Sequence, residues 1–189
     1  GDKIKESAVA TRRTFVVEVF GRFCGFLSVM SGLATGAERI YTHEEGITLK
    51  DLQNDVRMLV KRFKKGKRLG LVIRHQFANT IYTTPFISAL YEEEGGDVFD
   101  VRTAILGHLQ QGGIPSTFDR ALATRMATLA LDQLDSMNDG DKYVAIGLRG
   151  GHKIITPLDD LPKELDLEYF RPRHQWWIAL KSMAQAMIH

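Results

Sequence analysis

Gly21 and Arg22 form the first stretch that could bind an anion. They follow a run of β-forming residues, 14–19, and precede an apolar pattern of helical period. The glycine lets a ligand approach the backbone, the helix start offers free N–H groups, and the arginine adds a forked positive charge. Because most strand–turn–helix junctions only connect elements, a second feature is needed to indicate a site.

A second glycine-containing turn supplies that feature. Residues 100–120 read DVRTAILGHLQQGGIPSTFDR, in which a β-run, 101–106, again ends in a glycine. The candidate donors of this stretch are Arg102, His108, Gln110 and Gln111. Strand ends of a parallel sheet face a common crevice, so we expect the two turns to lie together, with Arg102 and His108 flanking one strand end.

Composition excludes several classes of function. The chain has 189 residues, 44% of them apolar, and a net charge of +2, which is too small to indicate nucleic-acid binding. The single cysteine, Cys24, rules out an intramolecular disulfide and suits a reducing compartment. No apolar run approaches the ~18 residues of a membrane span, and the first residues do not resemble a signal peptide. We therefore expect a cytoplasmic protein that binds neither membrane nor nucleic acid.

Strands alternate with helices along the chain, which predicts a layered α/β fold with a parallel sheet. The predicted strands are 14–19, 38–41, 69–73, 101–106, 142–146 and 153–156. The predicted helices begin near residues 23, 49, 84, 116 and 173, and the last of them ends at residue 187. Thr48 and Ser116 each precede an aspartate by three residues, a pattern typical of helix N-caps, and Gly36 is expected to end the first of these helices.

The two turn stretches resemble the sugar-phosphate-binding motifs of the phosphofructokinase family. The family patterns are VVE-x-x-G-R-x-CG and, later in the chain, R-x-x-x-LGH-x-Q-x-GG-x-P-x-x-x-DR. The resemblance implies a layered parallel-sheet fold with two α/β domains, of which this chain is a C-terminal part. It assigns residues 1–108 to part of the smaller, sugar-phosphate-binding domain and residues 109–189 to a return into the larger domain with a closing helix.

The same resemblance implies the ligand-binding residues. Those of the sugar-phosphate or effector site are Arg13, Phe20, Gly21, Arg22, Gln76, Arg102, His108, Gln111 and Arg171. Among them, Arg102 and His108 would hold the 6-phosphate, and Arg13 would come from a neighbouring subunit. A possible second effector site comprises Lys5, Gly36, Glu38, Lys65 and Lys67, although the run 61–68 also reads as a solvated basic helix end.

Three positions depart from the catalytic pattern. Phe20 stands where methionine is usual, Gln76 where a glutamate is frequent, and Gln111 where catalytic copies have an arginine. The GHLQQGG form and the closing segment with Trp176 and Trp177 resemble the C-terminal, regulatory half of the long eukaryotic-type ATP-dependent enzymes. That half binds fructose 2,6-bisphosphate as an activator, so the resemblance implies this ligand, with fructose 6-phosphate as the alternative.

The resemblance assigns no catalytic residue and no metal ligand to this stretch. It implies no cofactor here and places ATP and magnesium elsewhere in the intact enzyme, so we expect the isolated chain not to phosphorylate anything. The expected partners are the remainder of the same polypeptide and further phosphofructokinase subunits, identical or different. Two alternatives stay open: the substrate-binding part of a catalytic half, and a sugar-phosphate-binding module without an enzyme. Whether the donor is ATP or diphosphate also stays open.

Overall fold

The computed structural model describes residues 1–9, 11–138, 140 and 143–186, without the side chains of residues 9 and 184–186. Two compact units divide the chain. The first is Gly1–Gln111 together with the segment from Gln175, and the second is Gly112–His174.

The first unit is a four-stranded, fully parallel sheet of order β2-β3-β1-β4 with helices around it. Its elements are α1 (Asp2–Val9), β1 (Arg13–Val19), α2 (Phe26–Thr35), β2 (Arg39–Tyr41), α3 (Leu49–Lys64), β3 (Leu69–His75), α4 (Thr84–Gly95), β4 (Asp100–Ile105) and α7 (Ile178–Ala186). The predicted layered α/β fold with a parallel sheet is confirmed.

Two apolar layers hold the helices against the sheet, because successive side chains of a strand point to opposite faces. Val16 of β1 packs in one cluster with residues of α3 and α4, including Leu59. Its neighbour Val17 packs in the other cluster, which includes Val29 of α2 and Trp177. β1 is therefore central in the sheet and buried on both sides.

The helix ends follow the sequence closely, with one exception. Thr48 and Ser116 both form capping boxes with the aspartate three residues later, and Gly36 ends α2 in the left-handed conformation at φ 64°. α2 begins at Phe26 rather than near residue 23. The reason is a turn after β1, in which the Cys24 N–H donates to the Gly21 carbonyl at 2.8 Å.

The second unit has little interior. Its elements are α5 (Thr117–Ser136), β5 (Val144–Arg149), β6 (His152–Pro157), α6 (Leu161–Glu164), β7 (Leu165–Asp166) and β8 (Arg171–Pro172). None of the residues described in this unit is fully buried. A long helix and a hairpin without a core of their own need further protein surface to bury their apolar side chains.

The β5–β6 pair is antiparallel, which differs from the parallel β-α units expected throughout the chain. Gly150 and Gly151 adopt φ 57° and 81° and form a two-residue hairpin turn, which only antiparallel strands can use. The predicted first strand began at Lys142, which lies outside the described residues.

The closing helix belongs to the first unit. α7 begins at Ile178 rather than at residue 173, and its predicted end at residue 187 lies outside the described part of the chain. Just before α7, the Trp177 ring is buried and meets the Phe26 ring edge-on at 5.5 Å between centroids. The predicted division at residue 108 into two domains of a larger enzyme stays a prediction.

Candidate functional site

The turns after β1 and β4 lie together at the carboxyl edge of the sheet. The regular β1–β4 ladder ends at Glu18 and Ile105. Beyond it, the Phe20 N–H donates to Gln110 Oε1 at 2.9 Å, and Gln110 Nε2 donates to the Phe20 carbonyl at 3.4 Å. The rings of Phe20 and His108 meet edge-on at 5.8 Å between centroids. The expected convergence of these two turns is confirmed.

Gly21 is required by close packing. A Cβ at this position would lie 2.4 Å from the Cys24 carbonyl oxygen and 2.9 Å from His75 Nε2. Arg22 follows in the left-handed region at φ 53°, which an arginine adopts at a cost of about 1 kcal/mol. The Arg22 guanidinium lies 5.9 Å from the centre of the Phe23 ring. The turn is therefore closely packed against Cys24 and His75, which leaves no room for a side chain at residue 21.

Gln76 and Gln111 complete the carboxyl edge. The Gln76 N–H donates to the Val19 carbonyl at 3.0 Å, so residue 76 lies beside the turn that follows β1. Gln111 Oε1 lies 3.3 Å from His108 Nδ1, and both side chains are exposed. The predicted site residues at this edge are Phe20, Gly21, Arg22, Gln76, His108 and Gln111. Together they offer neutral and cationic hydrogen-bond donors, with amides at positions 76 and 111.

Arg13 and Arg102 lie elsewhere. Arg13 pairs with Asp100 and Phe15 pairs with Arg102 in the β1–β4 register, close to where both strands begin. Both guanidinium groups contact one carboxylate, since Asp100 Oδ2 is 3.8 Å from Arg13 Nε and 3.7 Å from an Arg102 nitrogen. β4 is an edge strand, and the Arg102 side chain is 49% exposed.

The expectation that Arg102 and His108 flank one strand end is therefore wrong. Arg102 is the third residue of β4, and His108 lies beyond its last residue, Ile105. Three residues of strand span ~10 Å, so the Cα atoms of Arg102 and His108 lie at well-separated positions along the strand direction. The alternation of inward and outward side chains along a strand predicts that Arg102 is exposed. It does not predict how far Arg102 lies from the carboxyl end of the sheet.

Arg171 lies in the second unit. Its guanidinium carbon is 4.7 Å from the centre of the Tyr169 ring, and Arg171 Nε is 3.9 Å from an Asp166 carboxylate oxygen. Its assignment to the effector site stays a prediction.

An ion pair between Arg74 and Glu18 lies beneath the site, and it was not identified from the sequence. Arg74, 2% exposed, contacts Glu18 at 3.1 Å, and Thr84 Oγ1 donates to the same carboxylate. Burial lowers the pKa of the Arg74 guanidinium, and Glu18 opposes that shift. The available signal was a charged residue near the carboxyl end of each of two strands, but the register that pairs Glu18 with Arg74 is visible only in the structure.

Arg74 also organises the segment that follows β3. Its nitrogens donate to the carbonyls of Gln76, Asn79 and Tyr82 at 2.9, 2.6 and 3.1 Å. One buried side chain thus sets the path of the loop between β3 and α4, including Gln76 at the site.

His75 lies directly beneath Gly21 and was also not singled out. The imidazole has no exposed surface, and burial lowers its pKa from 6.5 to about 4. Glu44 and the Gly21 backbone oppose the shift, while His43 and Arg74 reinforce it. A neutral histidine therefore supports the floor of the turn.

The possible second effector site falls at the opposite, amino edge of the sheet. Glu38 is 3% exposed, accepts the Leu71 N–H at 2.5 Å and pairs with Lys67. A cavity of about 330 Å³ opens beside Lys67 and is lined by Arg12, Phe63, Lys64, Gly66, Lys67 and Arg68. The predicted members Glu38 and Lys67 are in contact.

The other predicted members of the second site are in separate elements. Lys5 lies in α1, Gly36 ends α2, and Lys65 is the exposed C-cap of α3. Ligand binding by this group stays a prediction, and the cations that line the cavity are mostly different ones.

The residues described here do not fit a metal centre, because no group of three or more His, Cys, Asp or Glu side chains among them is suited to hold a metal ion. Within the same residues, no helix combines the length and apolar character that a bilayer crossing requires.

Comparison with known sequences identifies a family and several related enzymes. The family model described as "Phosphofructokinase" matches residues 1–134. An ATP-dependent 6-phosphofructokinase of Dictyostelium discoideum is 46% identical over 97% of this chain and 22% of its own length. The muscle-type ATP-dependent 6-phosphofructokinase of Oryctolagus cuniculus is 39% identical over 98% of this chain and 26% of its own length. The chain thus spans about a quarter of the length of these relatives.

Solved structures agree. The phosphofructokinase of Saccharomyces cerevisiae superimposes with a TM-score of 0.92 at 32% identity, covering 99% of this chain and 26% of that one. The Pichia pastoris phosphofructokinase in the T-state gives a TM-score of 0.84 at 28% identity, with 99% and 24% coverage.

Proposed function

Because the chain belongs to the phosphofructokinase family, we propose that it is part of an ATP-dependent 6-phosphofructokinase and binds a fructose phosphate as an activator. The intact protein would transfer phosphate from ATP to the 1-position of fructose 6-phosphate. This stretch would bind fructose 2,6-bisphosphate at the carboxyl edge of the sheet. The chain would be a section of the C-terminal, regulatory half.

The observation that supports this proposal is the convergence of two turns whose side chains suit binding better than catalysis. Gln76 and Gln111 are adjacent to the turns formed by Gly21 and His108. Amides at these positions can hydrogen-bond sugar hydroxyls and phosphate oxygens. They add no fixed charge, whereas phosphoryl transfer depends on charges aimed at the transferring group. Such a site would hold a sugar phosphate without turning it over.

Magnesium and ATP enter the proposal only through the intact protein. Among the described residues, no group of three or more His, Cys, Asp or Glu side chains could hold a metal ion. We propose that both are bound by other parts of the polypeptide.

The positions of Arg13 and Arg102 favour a site completed by a second subunit. Eight residues of extended chain separate Arg13 from Gly21, which corresponds to more than about 20 Å. One fructose phosphate therefore does not reach from Gly21 to Arg13 within one copy. A two-fold pairing in which the arginines of one copy face the turns of the other would complete both sites at once. The exposed edge strand β4 suits this arrangement.

Two other functions are consistent with parts of this geometry. A catalytic half would use the same turns for fructose 6-phosphate as a substrate, but the amides at positions 76 and 111 disfavour it. A sugar-phosphate-binding module without an enzyme would need an interior of its own in the second unit, where none of the described residues is buried.

The test uses the full-length parent enzyme with His108→Ala, because His108 is exposed and can be removed with little effect on folding. Loss of a hydrogen bond to a charged phosphate costs about 1.5–3 kcal/mol, so half-activation by fructose 2,6-bisphosphate should need about 10- to 150-fold more activator. Maximal turnover should be unchanged. His152→Ala, an exposed histidine of β6, is the matched control and should leave both quantities unchanged.

The opposite pattern would reverse the assignment. If His108→Ala abolishes turnover at saturating fructose 6-phosphate, the turns form a catalytic substrate site.

A further inference from the structure

Gln110 continues the hydrogen-bonding pattern of the sheet past the end of its strands. The last backbone hydrogen bond between β1 and the chain that follows β4 is donated by the Leu106 N–H to the Glu18 carbonyl at 3.1 Å. The next free backbone groups of this edge of β1 are the N–H and the carbonyl of Phe20. The Gln110 side chain bonds both, at 2.9 and 3.4 Å, in place of the two peptide groups that a neighbouring parallel strand would supply.

The contact joins the two turns of the candidate site. Phe20 directly precedes Gly21 and Arg22, while Gln110 lies between His108 and Gln111 in one short helical turn, Gly107–Gln111. Gln110 and Phe20 are half-buried, whereas His108 and Gln111 are exposed. Within this one turn, Gln110 therefore contacts the protein and its neighbours His108 and Gln111 are accessible to a ligand.

We propose that Gln110 is a positioning residue that sets the separation between the two ligand-binding turns, and thereby the affinity for a fructose phosphate. The inference rests on the proposed function. Gln110 itself need not touch the ligand, since both ends of its amide bond the backbone of Phe20. The chemistry required is one donor and one acceptor on the same short group, which an amide supplies and a carboxylate does not.

Two variants test whether residue 110 must supply both a hydrogen-bond donor and an acceptor to the Phe20 backbone. In Gln110→Met, a side chain of similar size offers neither group. In Gln110→Glu, the ionised carboxylate accepts from the Phe20 N–H but presents an oxygen to the Phe20 carbonyl. A protonated carboxylic acid restores one donor and one acceptor, so lower pH should rescue Gln110→Glu and leave Gln110→Met unchanged.

The experiment measures binding of fructose 2,6-bisphosphate to the full-length protein by calorimetry at pH 8 and at pH 5. Each affinity is compared with that of the unmodified protein at the same pH, because the phosphates also titrate. We expect both variants to bind about 10-fold more weakly at pH 8. At pH 5, where about one sixth of a glutamate carboxyl of ordinary pKa is protonated, Gln110→Glu should bind only about 4-fold more weakly than the unmodified protein. Gln110→Met should still bind about 10-fold more weakly.

Thermal unfolding midpoints of the same proteins separate positioning from general destabilisation. Equal affinities of variants and unmodified protein, or no rescue of Gln110→Glu at pH 5, would overturn the inference. A loss of affinity accompanied by a matching fall in the unfolding midpoint of both variants would overturn it as well. If the unmodified protein does not bind the ligand, the proposed function fails first and the inference fails with it.

Discussion

His75 places a neutral imidazole directly beneath the Gly21 turn. Its pKa of about 4 lies below the ordinary value of 6.5, because burial disfavours the charged form. Between these two values the unfolded chain binds a proton at this residue and the folded protein does not. Stability contributed by neutral His75 is therefore full above pH 6.5 and is lost as the pH falls towards 4.

We predict that His75→Asn makes the free energy of unfolding less dependent on pH between 6.5 and 4. The difference between the folded and unfolded pKa values of His75 corresponds to a loss of at most about 3 kcal/mol over this range. Urea unfolding of the full-length protein and the variant at pH 4.5, 5.5 and 7 measures it. The groups around the imidazole, Glu44, His43 and Arg74, are the same in both proteins. Parallel pH profiles for the two proteins would show that His75 does not contribute the slope.

At the scale of elements, the segment between β3 and α4 depends on one buried charge. Arg74 holds three carbonyls of this segment and pairs with Glu18 from the central strand. Removing one partner of a buried pair leaves the other charge without compensation, whereas replacing both by apolar side chains does not.

We predict that Arg74→Met lowers the free energy of unfolding by about 3–5 kcal/mol. The double variant Glu18→Leu/Arg74→Met is the matched control and should recover part of the loss, because no lone buried charge remains. Denaturant unfolding of the full-length protein measures both. A double variant less stable than Arg74→Met would contradict this explanation and assign the stability to the carbonyl contacts of Arg74.

Elements with local signals could be predicted from the sequence. The capping pattern at Thr48, the left-handed glycine at residue 36 and the apolar run of β3 each depend on neighbouring residues and were found as expected. The start of α2 was missed because the turn at residues 21–25 is held by tertiary contacts, including the Gly25 N–H donating to Glu44 at 2.8 Å. The local sequence pattern does not indicate these contacts between distant residues.

The candidate site divides in the same way. The convergence of the turns could be predicted, because both follow strands of a parallel sheet and therefore lie at its carboxyl edge. The position of Arg102 along the sheet depends on the register between β1 and β4, which the sequence does not show. His75, Arg74 and Gln110 act through contacts between residues distant in sequence, 90 residues apart for Gln110 and Phe20. Residue type identified Gln110 only as one of four candidate donors, and it did not distinguish His75 or Arg74 from other buried or polar side chains.

At the scale of the whole molecule, the two units differ in what they can do alone. The first has two apolar clusters on the faces of a parallel sheet. The second, as far as it is described, has no buried residue. A chain that spans a quarter of its relatives' length and has one unit without an interior fits a section of a larger enzyme.

We propose that this chain binds an activating fructose phosphate in a pocket completed by another subunit. The most direct test of this proposal is calorimetric titration of fructose 2,6-bisphosphate into the assembled full-length protein, compared with its Arg13→Ala variant. Arg57→Ala, an exposed arginine of α3, is the control, and light scattering measures the association state. We predict a 10- to 150-fold loss of affinity for Arg13→Ala alone, with assembly unchanged. Equal affinity in all three proteins, or full affinity in a proven monomer, would contradict the account.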